Sequence, residues 1–232
     1  MINGKKVLAI IPARGGSKRL PRKNLLPLKD KPLIAWTIQA ALASKYIDKT
    51  VVSTDSEEIA SIALQYGAET PFIRPSGIAG DLASTDSVIL HCIETLSKDF
   101  EADIVVVLQP TSPLRITHDI DCALDKLIEK DADGVVSVCE CEHSPLWSNT
   151  LPDDGNMEVF IKEEVKGKRS QDLPLYYRLN GAVYAFTVNS IRKNKGLSYN
   201  DLVFSIKMPT LRSVDIDHEL DFKLAEVILN EL

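Results

Sequence analysis

The 232-residue chain contains no run of 18 or more apolar residues, so no stretch of it reads as a membrane-spanning helix. Its opening, MINGKKVLAII, has neither a long apolar segment nor a small-residue cleavage site, and the expectation is a cytoplasmic protein with no membrane attachment. Cysteine is scarce: Cys92, Cys122, Cys139 and Cys141 read as free thiols of a reducing compartment. Cys139-Glu140-Cys141, with His143 nearby, lacks CxxC spacing and a second half-site, so it does not read as a zinc centre. Aromatic residues are only 6% of the chain and do not interleave with basic ones, which argues against a single-strand nucleic-acid groove. Neither GxxxxGK[ST] nor GxGxxG occurs, excluding the two commonest phosphate-loop fingerprints. His91 and His118 fall in helical patterns and His143 in a loop, with no nucleophile motif nearby, so a hydrolase triad is unsupported.

What is present is a sharp asymmetry of charge. Residues 1–31 hold nine Lys/Arg and one acid, a net +8, while the remainder holds eighteen bases and thirty-two acids, a net −14. A small basic patch on an acidic body favours a small anionic ligand and disfavours nucleic acid, which the body would repel. The patch is concentrated in Arg14, Lys18, Arg19, Arg22 and Lys23, which follow the buried-looking strand Val7–Ile11 and surround Gly15-Gly16. Glycines permit close backbone approach and positive φ, and successive N–H groups in such a turn can form an anion nest. Strand, glycine turn and clustered cations suggest a polyphosphate site at the carboxyl end of a sheet; a solvated basic loop is the alternative.

Downstream, the pattern alternates. Lys31–Ile47 reads as a helix with Pro32 in its first turn, Lys49–Asp55 as a short buried strand, and Ser56 as the start of a helix stopped by Gly67. Phe72–Arg74 reads as a brief strand, 85–100 as a helix, Ile104–Gln109 as a central strand, His118–Lys130 as a helix and Gly134–Cys139 as a strand. This order implies right-handed βαβ units: a three-layer, Rossmann-like α/β fold with a mainly parallel sheet. Residues 142–178, with Pro145, Pro152, Pro174 and an Asp-Asp-Gly turn, read as an excursion: a small subdomain, lid or dimer contact. A strand over Asn180–Phe186, another over Val203–Ile206 and a helix from Glu219 to Asn230 complete one domain spanning 1–232.

Asp215 and Asp217 lie two apart; in an extended segment both carboxylates share one side, with Ile216 on the other. Two hard oxygen ligands plus substrate phosphates suit Mg²⁺. Alternatively, Asp217 caps the last helix and Asp215 is solvated. Gln109 ends the central strand, where α/β folds bind ligands, or hydrogen-bonds within its turn. Arg74 and Ser84 border the 75–84 loop. Asn180 and Tyr184 face the site or belong to the strand's packing.

The segments IPARGGSKRLPRKN, VVSTD, RPSGIAGDLAST, LQPTSPLR, RLNGAVYAF and SVDIDHELDF, in this order and over nearly the whole chain, resemble the acylneuraminate cytidylyltransferases. The resemblance implies a nucleotidyltransferase domain with a small dimerisation insertion at about 142–178, working as a cytoplasmic homodimer. It implies transfer of CMP from CTP to the anomeric hydroxyl of a nine-carbon α-keto acid sugar, with Mg²⁺ and release of pyrophosphate. By motif, Arg14, Lys18 and Lys23 would meet the CTP phosphates, and Asn24, Arg74 and Ser84 would surround the cytidine. Gln109, Asn180 and Tyr184 would contact the sugar, and Asp215 and Asp217 would hold Mg²⁺.

Two positions depart from the family pattern. Ser170 stands where relatives carry an arginine before Leu-Pro, with Arg169 one position earlier, and Trp147 stands where sialic-acid-specific relatives carry a lysine. The acceptor implied is N-acetylneuraminic acid or a close relative such as legionaminic acid. A non-catalytic nucleotide-binding module is the reading of a different class, and the aspartate pair argues against it.

Overall fold

The computed structural model describes residues 1–80 and 83–231. Strand β1 (Val7–Pro12) stands between β4 (Lys49–Ser53) and β5 (Ile104–Val107), parallel to both. From Val7 to Ile11 it is wholly buried and apolar, the composition of a strand covered on both faces. Val7, Ala9 and Ile11 face α1 (Leu33–Leu42), α2 (Glu57–Gln65) and α4 (Thr117–Glu129). Leu8 and Ile10 face α3 (Thr85–Leu96) and α5 (Val188–Asn194), so the protein is three-layered as expected.

The six-stranded sheet has the order β4-β1-β5-β7-β6-β8, with β6 (Gly134–Glu140), β7 (Tyr177–Thr187) and β8 (Val203–Lys207). It is mostly parallel, but β7 runs antiparallel to both β5 and β6. The cause is the excursion. The chain leaves the carboxyl end of β6, wanders through residues 141–176, and re-enters beside β6 from that same end. β7 is also longer than the expected Asn180–Phe186 and carries a register shift opposite Val136–Val138, where Gly181 adopts φ +72°.

Three local expectations need correction. Residues before α1 form a two-residue hairpin, β2 (Pro27–Leu28) with β3 (Lys31–Pro32), so Pro32 ends a strand and precedes the helix rather than lying in its first turn. Phe72–Arg74 makes only an isolated parallel bridge, Thr54 to Ile73, because Pro75 follows at once and removes a donor. The helix expected over 85–100 ends at Leu96. The predicted caps are present: Ser56 accepts from Ile59 N–H at the head of α2, and Gly67 takes φ +90° just past its end.

Residues 141–176 contain three short 3₁₀ turns, Pro145–Trp147, Glu163–Val165 and Ser170–Asp172, joined by loops. Val165 is buried, while Leu151, Met157, Val159 and Leu175 are each more than half exposed. The last helix, α6 (Glu219–Glu231), packs with Leu28, Leu33, Trp36 and Leu114 in a separate apolar cluster that also encloses Ile216. Among the described residues no helix is long and apolar enough to cross a membrane.

Candidate active site

The basic loop is fastened to the end of β4. Ala13 N–H donates to the Ser53 carbonyl, and Gly15 N–H donates to Asp55 Oδ1 at 2.8 Å. A Cβ on Gly15 would stand 3.0 Å from Ser56 Cβ, so glycine serves close packing here. Neither Gly15 nor Gly16 has positive φ; the left-handed residue is Arg22, φ 57°. The turn is therefore held by a carboxylate on the Gly15 amide. Lys23–Leu25 forms one 3₁₀ turn, and the buried Asn24 donates through Nδ2 to the Arg14 carbonyl at 3.0 Å, closing the loop on itself.

Above the carboxyl ends of β1 and β5 lies a cavity of about 320 Å³, walled by Arg14, Lys23, Asn24, Arg74, Ser84 and Gln109. These are six of the eleven residues expected at the site from sequence. A second hollow of about 390 Å³ joins it along Arg14 and Lys23 and adds Lys18, Arg19 and Asp217. The RPSGIAGDLAST segment contributes Arg74, Gly80, Ala83, Ser84 and Thr85 to the first cavity; Asp81 and Leu82 lie outside the described residues.

The residues of this wall are held in different ways. Arg74 is buried and donates to Ser53 Oγ at 3.1 Å and to the Ser53 carbonyl; burial lowers its pKa, with Asp55 opposing the shift. Ser84 caps α3, accepting from Ser87 N–H at 3.1 Å, so its hydroxyl is already engaged. Gln109 lies against Gly181, where an added Cβ would come within 2.8 Å of Gln109 Oε1.

Lys23 links the cavity to the aspartates. Its Nζ donates to the Ile216 carbonyl at 2.5 Å and to Asp217 Oδ1 at 3.2 Å, while Arg19 Nη1 donates to Asp217 Oδ2 at 2.8 Å. Ile216 is fully buried in the α6 cluster, which sets the alternation: the isoleucine turns in and the two carboxylates turn away from it. Asp217 does not cap the helix with its side chain. Asp221 does so, accepting at one oxygen from Asp217 N–H at 3.0 Å and His218 N–H at 2.7 Å. Burial raises the pKa of Asp215, and the Asp217 charge adds to that, against a hydrogen bond from Thr111. Burial works in the same direction on Asp217, but the Lys23 hydrogen bond and the Lys23 and Arg19 charges outweigh it and hold its pKa low.

Asn180 and Tyr184 lie outside the first cavity. Asn180 is buried: its Nδ2 donates to Ser213 Oγ at 2.9 Å, and its Oδ1 accepts from Ser137 Oγ at 2.6 Å. Its side chain thus ties β7 to the strand-like segment that ends in the aspartates. Tyr184 is half-buried in the α3-side core, pairs opposite Val107, and has its pKa raised by burial, then by Tyr199 and Asp215. Asp215 opens onto a third hollow with Arg178 and Glu142, which are ion-paired at 2.6 Å. Arg169 is exposed and paired with Asp172 at 2.9 Å, and Trp147 lines a separate apolar hollow within the excursion.

Sequence reasoning left Thr111 and Asp221 unassigned. Thr111 lies inside LQPTSPLR directly after Gln109, and Asp221 lies four residues beyond Asp217; only the fold shows that each braces the aspartate segment.

The comparisons with known proteins agree with this architecture. The family model described as Cytidylyltransferase matches residues 8–217. The chain is 39% identical over 235 residues to the CMP-N,N'-diacetyllegionaminic acid synthase of Legionella pneumophila, covering 97% of this chain and 96% of that protein. It is 34% identical over 229 residues to the pseudaminic acid cytidylyltransferase of Campylobacter jejuni, covering 96% of each. It is 37% identical to the N-acylneuraminate cytidylyltransferase of Escherichia coli, of which it spans 52%. The solved CMP:2-keto-3-deoxy-manno-octonic acid synthetase shares the fold, with TM-score 0.72 at 19% identity over 98% of this chain and 100% of that one. With nearly its whole length matched, this chain belongs to the cytidylyltransferase family.

Proposed function

We propose that the protein transfers CMP from CTP to the anomeric hydroxyl of a nine-carbon α-keto acid sugar, releasing pyrophosphate. The observation that carries the proposal is Lys23: one ammonium group lines the nucleotide-sized cavity and also contacts Asp217, so phosphate binding and the aspartate pair share a partner. The acceptor oxygen attacks the α-phosphorus, the bond from that phosphorus to the bridging oxygen breaks with pyrophosphate leaving, and the hydroxyl proton passes to solvent. Arg14, Lys18 and Lys23 neutralise the triphosphate and the departing pyrophosphate, and the walls formed by Asn24, Arg74 and Ser84 surround the cytidine. Catalysis of this kind comes from alignment and charge neutralisation.

Two carboxylates on one side of a short segment fit Mg²⁺, which completes its octahedron with phosphate oxygens and water. Asp215 and Asp217 would hold it, where it would polarise the α-phosphate. In favour of a cation there stands the packing of the segment: Ile216 is fully buried in the α6 cluster, and the carboxylates on either side of it turn outward. Gln109 and Tyr184 would meet the sugar, with Asn180 supporting them from beneath. The exposed apolar residues of 141–176 are a surface suited to a homodimer, and the protein would work in the cytoplasm beside its CTP supply.

Among acceptors, N,N'-diacetyllegionaminic acid is favoured over N-acetylneuraminic acid by the name of the 39%-identical relative. The test is pyrophosphate release from CTP and Mg²⁺ with N-acetylneuraminic acid, di-N-acetyllegionaminic acid, pseudaminic acid and 3-deoxy-manno-octulosonate compared side by side. Selective turnover of one nine-carbon acid supports the reading. CTP binding without turnover of any of them overturns it in favour of a non-catalytic nucleotide binder.

A further inference from the structure

The LQPTSPLR segment ends in a cation that the site chemistry leaves unused. Arg115 is 3% exposed, and no carboxylate among the described residues hydrogen-bonds to it. Its Nη1 donates to the Ser112 carbonyl at 3.0 Å and reaches the Gln109 carbonyl at 3.4 Å; its Nη2 donates to the Gln109 carbonyl at 3.2 Å and to Thr37 Oγ1 at 2.9 Å. Nε has no partner among the described residues. The neighbouring carboxylate, Asp119, is committed to Arg212 at 2.6 Å and to Ile116 N–H at 3.0 Å. A buried guanidinium that spends its donors on neutral carbonyls is costly to keep, and burial pushes its pKa down to about 9, leaving it cationic at neutral pH. An apolar side chain of similar volume would be cheaper for folding alone.

What the expense secures is the turn 109–112. Gln109, Pro110 and Thr111 line the nucleotide cavity. The Thr111 carbonyl accepts Ile216 N–H at 2.8 Å, between the two aspartates, and Ser112 Oγ donates to the Asn180 carbonyl at 3.2 Å. From Arg115, therefore, one short path of hydrogen bonds reaches the cavity wall and another reaches the aspartate pair. We propose that Arg115 is a positioning residue: by gripping the Gln109 and Ser112 carbonyls and bracing against Thr37 of α1, it holds Thr111 where its carbonyl fixes Ile216, and with it the two flanking aspartates, relative to the nucleotide. Its effect on turnover and on a divalent cation rests on the function proposed above; its grip on the turn does not.

The test uses Arg115→Lys, which keeps the charge but loses the fork, and Thr37→Val, which removes one brace and leaves the arginine in place. Val7→Ala, at the amino end of β1 and remote from the site, is the control for lost stability. Three readouts are taken: hydrogen exchange at the Ile216 amide, Mn²⁺ binding in the presence of a non-hydrolysable CTP analogue, and steady-state turnover. Arg115→Lys should accelerate Ile216 exchange, weaken Mn²⁺ binding about tenfold and lower kcat about a hundredfold, as displaced supporting groups do. Thr37→Val should shift all three in the same direction by less. Val7→Ala, compared at equal distance from its own Tm, should shift none. The proposal is overturned if Arg115→Lys leaves Ile216 exchange and Mn²⁺ binding as in the parent protein, or if Val7→Ala reproduces the pattern. A parent protein that turns over no acceptor sinks the proposed function instead, and the exchange measurement still decides the role of Arg115.

Discussion

Lys23 and Asp217 are 194 positions apart in the chain and 3.2 Å apart in the fold, and Arg19 holds the other oxygen of the same carboxylate at 2.8 Å. Two cations thus neutralise a carboxylate that the proposed reaction needs for a metal. Triphosphate entering the cavity would compete for both cations and leave Asp217 to the metal that accompanies the nucleotide.

Replacing Lys23 by methionine keeps the stem and deletes this shared charge. Loss of one preorganised donor to developing phosphate charge costs about 10²–10³ in turnover. The expected result is a fall of that order in kcat/KM for CTP, read by pyrophosphate release, with Tm nearly unchanged. Retention of full activity would remove Lys23 from the phosphate site.

Ile216→Ala tests the buried half of the Asp-Ile-Asp alternation. The side chain is wholly enclosed by Leu28, Leu33, Leu114 and α6. Emptying such a site costs about 2–5 kcal/mol, measurable by urea unfolding, and loosens the segment bearing both carboxylates. Activity should drop along with stability. A stability loss well below this range would mean that α6 does not anchor the pair.

That alternation was legible from spacing alone, as were the three layers, the loop after β1 and the caps at Ser56 and Gly67. Each is written locally, in side-chain period or in one residue's preferred backbone. The direction of β7 was not, because it depends on which end of the sheet the 141–176 excursion returns to. Spacing could not show either that the Gly15 amide is bonded to Asp55, forty residues away, and that this glycine packs on Ser56. Motif order brought Arg74, Ser84 and Gln109 to one cavity, yet could not show that Arg74 and Ser84 already have partners in the fold.

Asn180→Ala separates contact from support. The substitution removes the buried hydrogen bonds of the amide to Ser213 Oγ, Ser137 Oγ and Ala182 N–H, each worth about 0.5–1.5 kcal/mol, while the two hydroxyls keep the Pro209 and Val183 carbonyls as partners. We expect thermal stability and kcat to fall together. A rise in the acceptor KM with stability untouched would instead place the amide directly against the sugar.

Gly181→Ala acts on the site through a neighbour. Gly181 has φ +72°, a conformation that costs an alanine roughly 1–2 kcal/mol, and its new Cβ would press within 2.8 Å of Gln109 Oε1. The clash is with the tip of a flexible side chain, so the fold survives while the carboxamide must swing away from its place in the cavity wall. Gln109→Ala removes that carboxamide outright. If Gly181→Ala lowers acceptor use by displacing Gln109, the double variant should be little worse than Gln109→Ala alone, giving a coupling energy of about 0.5–3 kcal/mol in a double-mutant cycle on kcat/KM. Strictly additive losses would show that the glycine serves only the turn in β7, and that Gln109 is set by something else.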